Sequence, residues 1–137
     1  MDAEQAFTRT VRARRWAAIK RRLRREPAAH GRLAVYDQPL RRGASALGQF
    51  GVREIPVREI RGTLEPSRAS LFDRCFRPTR AARDRWEGLW LAEHRGAALP
   101  PISVVQVGDT YAIRDGHHRV SVARARGALT IDAIVTA

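Results

Sequence analysis

Only one cysteine, one methionine and one lysine occur among the 137 residues. A lone thiol, Cys75, closes no internal disulfide and builds no thiolate zinc cluster. No run of ten apolar residues occurs, which argues against a transmembrane helix and a signal-peptide core. The expectation is therefore a cytoplasmic protein with no membrane partner. Large aliphatic side chains are scarce too. The hydrophobic share is 44%, but 22 of those residues are alanine, and Leu, Ile, Val and Phe together number 31. That suffices for one core in a chain of this size, with little room for a second. Carboxylates are also few. The 14 Asp and Glu face 26 Lys and Arg, a formal net charge of +12. An excess of that size points to anionic partners: nucleic acid, nucleotide, phosphate or an acidic protein surface. It is equally what a compositional bias toward arginine produces, since Lys20 is the single lysine.

The charge is uneven. Residues 1–32 carry ten cations against three carboxylates. Residues 3–25 contain neither Pro nor Gly, and their Ala and Arg content predicts a helix that ends at Glu26-Pro27. This basic N-terminal helix, residues 1–26, has a broad apolar stripe of Phe7, Val11, Trp16, Ile19 and Leu23, interrupted by arginines. Residues 27–51, with Pro27, Gly31, Pro39, Gly43, Gly48 and Gly51, read as a connector holding one short strand-like run at Leu33–Tyr36. Residues 52–137 read as a compact α/β unit. The pattern predicts a strand over Val52–Ile60 and loops over 61–79. A helix follows from about Thr79 to Arg95 with the stripe Ala82, Trp86, Leu89, Trp90 and Glu93. A hairpin of Ile102–Val107 and Tyr111–Arg114 turns at Gly108-Asp109, a helix covers about Gly116–Arg126, and a last strand covers Thr130–Thr136.

The most informative stretch is Ile113-Arg114-Asp115-Gly116-His117-His118-Arg119-Val120, where a strand passes through a short polar turn directly into a helix. The first N–H groups of that helix lack partners, and the helix dipole adds partial positive charge there. Gly116 permits close approach to the backbone, and Arg119 carries a planar fork suited to phosphate oxygens. His117 and His118 add donors when charged. The set makes a phosphate or carboxylate pocket. Asp115, its one acid, has four roles open to it. It can orient Arg119, hold a Mg²⁺ beside a nucleotide, handle a proton on a substrate hydroxyl, or simply cap the helix. No spacing in the sequence supports a dedicated metal site.

The chain has no internal repeat, but several short motifs follow one another in order. They are Leu99-Pro100-Pro101-Ile102-Ser103-Val104, Tyr111-Ala112-Ile113, Asp115-Gly116-His117-His118-Arg119 and Ala123-Arg124-Ala125-Arg126-Gly127. Upstream stand Glu54–Ile60 and Pro66-Ser67-Arg68. Over residues 52–136 the sequence resembles the ParB/sulfiredoxin superfamily. The resemblance implies a small mixed sheet with packed helices, α/β or α+β in class, preceded here by the basic helix. It also implies a nucleotide-phosphate site, to which it adds Arg68. In sulfiredoxins a catalytic cysteine follows the glycine; here His117 stands in that place, so reductase chemistry is not expected. The DNA-partitioning members carry Glu-Arg where this chain has His117-His118, and they continue into a helix-turn-helix domain. Site-specific DNA reading of that kind is not expected of this chain alone. The free-serine kinase branch uses an Asp-Gly-His-x-Arg loop, matched by Asp115, Gly116, His117 and Arg119, and a glutamate base whose counterpart here is Glu65.

Two functions follow as expectations. The first is a nucleotide-phosphate-binding module. Gly116, His117, His118, Arg119 and Arg68 hold phosphates of CTP, ATP or ADP with Mg²⁺, and Asp115 and Glu65 serve hydrolysis or transfer to a small hydroxyl substrate. Whether turnover occurs is left open. The alternative is non-catalytic nucleic-acid binding by Arg14, Arg15, Lys20, Arg21, Arg22, Arg24 and Arg25, with Phe7 and Trp16 free to stack on bases. In the opposing reading the apolar side chains dock the helix onto the domain or onto a second copy, which leaves a homodimer open. Trp86 and Trp90 could face a partner, but their spacing with Ala82 and Leu89 favours the core.

Overall fold

The computed structural model describes residues 1–37 and 51–136. Helix α1 spans Ala3–Leu23 and starts in a capping box. The Asp2 carboxylate accepts from the Gln5 N–H at 2.7 Å, and Gln5 Oε1 accepts from the Asp2 N–H at 3.1 Å. The helix stops where Arg25 takes a left-handed φ of 56° just before Glu26-Pro27. A 3₁₀ turn at Ala28–Gly31 then leads to β1, Ala34–Val35. The presumed connector therefore supplies an edge strand to the sheet, while its residues 38–50 lie outside the described residues.

Six strands form one mixed sheet. After β1 come β2 (Val52–Pro56), β3 (Ile60–Thr63), β4 (Ile102–Val107), β5 (Thr110–Asp115) and β6 (Thr130–Thr136), in the spatial order β1-β3-β5-β4-β6-β2. The β1/β3, β3/β5 and β4/β6 pairs are parallel, and the β4/β5 hairpin and the β2/β6 pair are antiparallel. The mixed sheet with packed helices expected from the sequence is the architecture observed.

One element differs from expectation. The single strand read over Val52–Ile60 is two strands at opposite sides of the sheet. Pro56 lacks a ladder donor, and a 3₁₀ turn at Val57–Glu59 carries the chain away from β6 toward β5. The alternation persisted because Ile55, Val57 and Ile60 are all buried, although they sit in three different local structures.

Helix α2 (Arg83–His94) follows a 3₁₀ turn at Arg80–Ala82, and α3 (His117–Ala125) connects β5 to β6. The larger core cluster joins the sheet to the loop aromatics Phe72 and Phe76, with Val120 and Ala123 of α3. A second cluster joins Ala3, Ala6, Phe7 and Val11 of α1 to Trp86 and Trp90 of α2 and Val122 of α3. Phe7 meets Trp86 edge-on at 5.5 Å, and Trp86 stacks on Trp90 at 5.7 Å. A buried polar chain ties α2 to α3 and the Phe76 loop: Trp86 Nε1 donates to Ser121 Oγ at 2.8 Å, and Ser121 Oγ donates to the Phe76 carbonyl at 2.5 Å.

Candidate phosphate site at the start of α3

The parallel strands β3 and β5 end side by side. Thr63 leads into the Glu65–Arg68 turn and Asp115 leads into Gly116. A cleft of about 540 Å³ opens at these carboxyl ends. Crevices of this kind in α/β sheets are the usual ligand sites. Glu65, Arg68, Asp115, Gly116, His117, His118 and Arg119 all line this cleft, so the structure brings together every residue that the sequence proposed for a phosphate or catalytic role.

Gly116 is the N-cap of α3, with φ at 111°. A Cβ there would lie 2.5 Å from Ile102 Cγ2, so the glycine is needed both for its backbone conformation and for the close approach of β4. No side chain caps the helix. The expected alternative role of Asp115 as a cap is not realised: Asp115 is the last residue of β5, pairs with Ser103 and is exposed at the cleft. The first-turn N–H groups of α3 have no acceptor within the helix and lie at this cleft.

The two imidazoles do not act as the charged donors the sequence suggested. Both rings are buried. His117 Nε2 lies 2.6 Å from Thr63 Oγ1, which itself accepts from the Glu65 N–H at 2.9 Å. His118 stands edge-on to Phe72 at 5.2 Å. Burial lowers the pKa of His117 to about 4, helped by the cationic Arg68 and by His118 and opposed by Asp115. Burial also lowers that of His118 to about 4, with Arg85 and Arg68 adding to the effect. Both rings are therefore neutral at neutral pH. What this turn offers an anion is backbone N–H and helix dipole.

Cationic charge comes from other side chains. Arg68, Arg85 and Arg114 line the cleft, and none of them has an ion-pair partner among the described residues. Arg119 is committed elsewhere: Nη1 donates to the Pro100 carbonyl, and Nε lies 3.9 Å from Glu93 Oε1. It fastens the cleft rim to α2. Sequence reasoning missed Arg85 and Arg114. Arg114 adjoins the proposed loop and was within reach, whereas Arg85 comes from α2 and only the packing of α2 beside α3 brings it here. Four arginines and two carboxylates leave the lining cationic. Among the described residues, no group of three or more His, Cys, Asp or Glu side chains converges to hold a metal.

A larger groove of about 740 Å³ lies at the other end of α3, lined by Cys75, Phe76, Arg124 and Leu129 among others. There the helix presents carbonyls and the negative end of its dipole, beside Arg58, Arg77 and Arg124. The N-terminal helix divides. Phe7 is buried against Trp86 and is not available for stacking, while Trp16 is 60% exposed. Arg15, Lys20, Arg22, Arg24 and Arg25 are exposed, and Arg14 and Arg21 are half-buried.

No family model matches the sequence, and no curated protein does. Among solved structures, the chain is similar to the crystal structure of sulfiredoxin from Arabidopsis thaliana, at 22% identity and a TM-score of 0.47. The alignment covers 63% of this chain and 84% of that one. The likeness concerns the course of the backbone.

Proposed function

We propose that the cleft at the start of α3 binds the phosphates of a nucleotide, with CTP, ATP and ADP the candidates. The observation that carries this reading is an uncapped helix start behind a glycine that admits no side chain, opening into a cationic cleft. Phosphate oxygens would take the first-turn N–H groups of α3, with Arg68, Arg85 and Arg114 neutralising their charge. Leu89, Leu99 and Pro101 line the same cleft and offer apolar surface to a base or ribose. Asp115 and Glu65 are the carboxylates present. Mg²⁺ travels with polyphosphates and takes one or two carboxylates at such sites. Either acid is also suited to orient a water or a hydroxyl for hydrolysis or phosphoryl transfer.

Calorimetric titration with CTP, ATP and ADP plus Mg²⁺ tests the reading. Arg68→Ala and Arg85→Ala are each expected to weaken binding about tenfold, the size of one lost charge-assisted contact. Absence of binding at millimolar nucleotide, or variants that bind as the parent does, would overturn it. Phosphate release that disappears in Asp115→Asn or Glu65→Gln while binding persists would assign turnover to that carboxylate.

A further inference from the structure

Helix α1 carries two faces with different surroundings. The inner face, begun by Phe7 and Val11, lies on α2 and continues through the half-buried Arg14, Ala18 and Arg21. After Val11 no residue of the helix is fully buried. On the opposite face Trp16, Ile19 and Leu23, spaced i, i+3, i+7, are 60%, 47% and 78% exposed. They form one line of large apolar side chains in water. Cations surround that line. Arg12 and Lys20 stand one turn before and one turn after Trp16, and Arg9, Arg15, Arg22 and Arg24 are exposed beside it. From Gln5 to Arg25 the sequence has nine cations and no carboxylate. Glu26, near Arg24 at 4.0 Å, is the acid that follows, and residues 38–50 contribute none.

We propose that this outer face of α1 binds single-stranded nucleic acid, with Trp16 stacking on a base and the flanking cations on successive phosphates. Charge selects among the occupants of an exposed apolar line. A second copy docked through the same face would set seven exposed cations against seven, with no carboxylate between Gln5 and Arg25 of either copy. An acyl-chain surface calls for an apolar face uninterrupted along the helix, and here Arg12, Trp16 and Lys20 follow one another along the same line. An unpaired strand meets both requirements, because its phosphates match the cations and its bases expose apolar faces to the indole. One helical turn advances about 5.4 Å, close to the spacing of phosphates along an extended strand, so Arg12 and Lys20 straddle the base that Trp16 covers. This site lies on α1, apart from the α3 cleft, and does not depend on the nucleotide reading.

The test uses the full chain and a fluorescent oligothymidine of about twenty nucleotides, followed by anisotropy across a salt series. With about four phosphates neutralised, log affinity should fall with log salt at a slope of about −3. Trp16→Ala should weaken binding about tenfold and Trp16→Phe much less, since phenylalanine keeps a stacking face. Arg12→Ala with Lys20→Ala should flatten the salt slope. Arg53→Ala, on the edge strand β2 and outside both sites, should change nothing. Because Trp86 and Trp90 are buried, quenching of tryptophan emission by the oligomer reports on Trp16. Any of three results overturns the proposal: no binding at low salt, affinity unchanged in Trp16→Ala, or a Trp16 response to anionic phosphatidylglycerol vesicles with none to the oligomer. A chain that self-associates through this face, with dimer formation lost in Trp16→Ala and no oligomer bound, would likewise overturn it.

Discussion

His117 and His118 show how burial changes what a residue type means. In sequence, two adjacent histidines at a helix start suggest charged donors. In the fold both rings lie inside, one against Thr63 and one against Phe72. Their pKa values fall from 6.5 to about 4, chiefly through desolvation. Between those two values the unfolded chain binds more protons than the folded one, so stability rises with pH. The contribution of the neutral rings is complete above the unfolded value of 6.5 and is lost as pH falls through about 4. Urea unfolding should therefore show a midpoint that declines from pH 7 toward pH 4. His118→Leu should remove about half of that decline, because the remaining dependence comes from His117. A midpoint equally sensitive to pH in the parent and in His118→Leu would show that His118 is not held neutral by burial. Arg119 makes a related point. Its position at the helix start was legible, but its engagement with Pro100 and Glu93 depends on where two other segments pass.

At the level of elements, hydrophobic alternation located the hairpin and the last strand, because each of these is a continuous ladder with one buried register. It failed at Val52–Ile60, where a turn between two strands happened to bury residues at the same spacing. The α3 start was legible as a strand, a glycine and a helix. The reason for the glycine was not, because it is Ile102 in β4, fourteen residues upstream along the chain. Gly116→Ala should destabilise the fold by about 1–3 kcal/mol, through a φ of 111° and the overlap with Ile102. Urea unfolding measures it directly. In an Ile102→Ala background, which removes the Cγ2 at the point of contact, the cost of Gly116→Ala should fall only by part of its steric share, and the backbone share should remain. Full stability in Gly116→Ala would mean that the turn relaxes, and the cleft would then have no fixed floor.

For the molecule as a whole, the division at residue 26 dissolves. Helix α1 reads as a basic appendage in sequence, yet its first half completes a core with Trp86 and Trp90. Residues 27–37 likewise close the sheet with β1, whose approach depends on Gly62, where a Cβ would lie 2.5 Å from the Ala34 carbonyl oxygen. A chain lacking residues 1–26 should therefore expose two tryptophans, bind a hydrophobic dye and melt at a lower temperature. Phe7→Ala alone should cost about 3–5 kcal/mol, the usual range for a buried phenylalanine. A truncated chain with the melting temperature of the parent would show that α1 is a tether after all. In the second half of α1 no residue is fully buried, and the cations with exposed apolar neighbours are concentrated there.

Local sequence was enough to place the helices, the hairpin, the glycine-led turn into α3 and the uneven spread of charge. Each of these depends on local spacing, turn chemistry or composition, all of which are properties of neighbouring residues. Tertiary structure decided which of those residues face the cleft and which face the core. It turned His117 and His118 inward, occupied Arg119, recruited Arg85 from another helix, and buried Phe7 while leaving Trp16 in water. Burial and proximity between distant segments set those outcomes, and neither is encoded in the spacing along any one element.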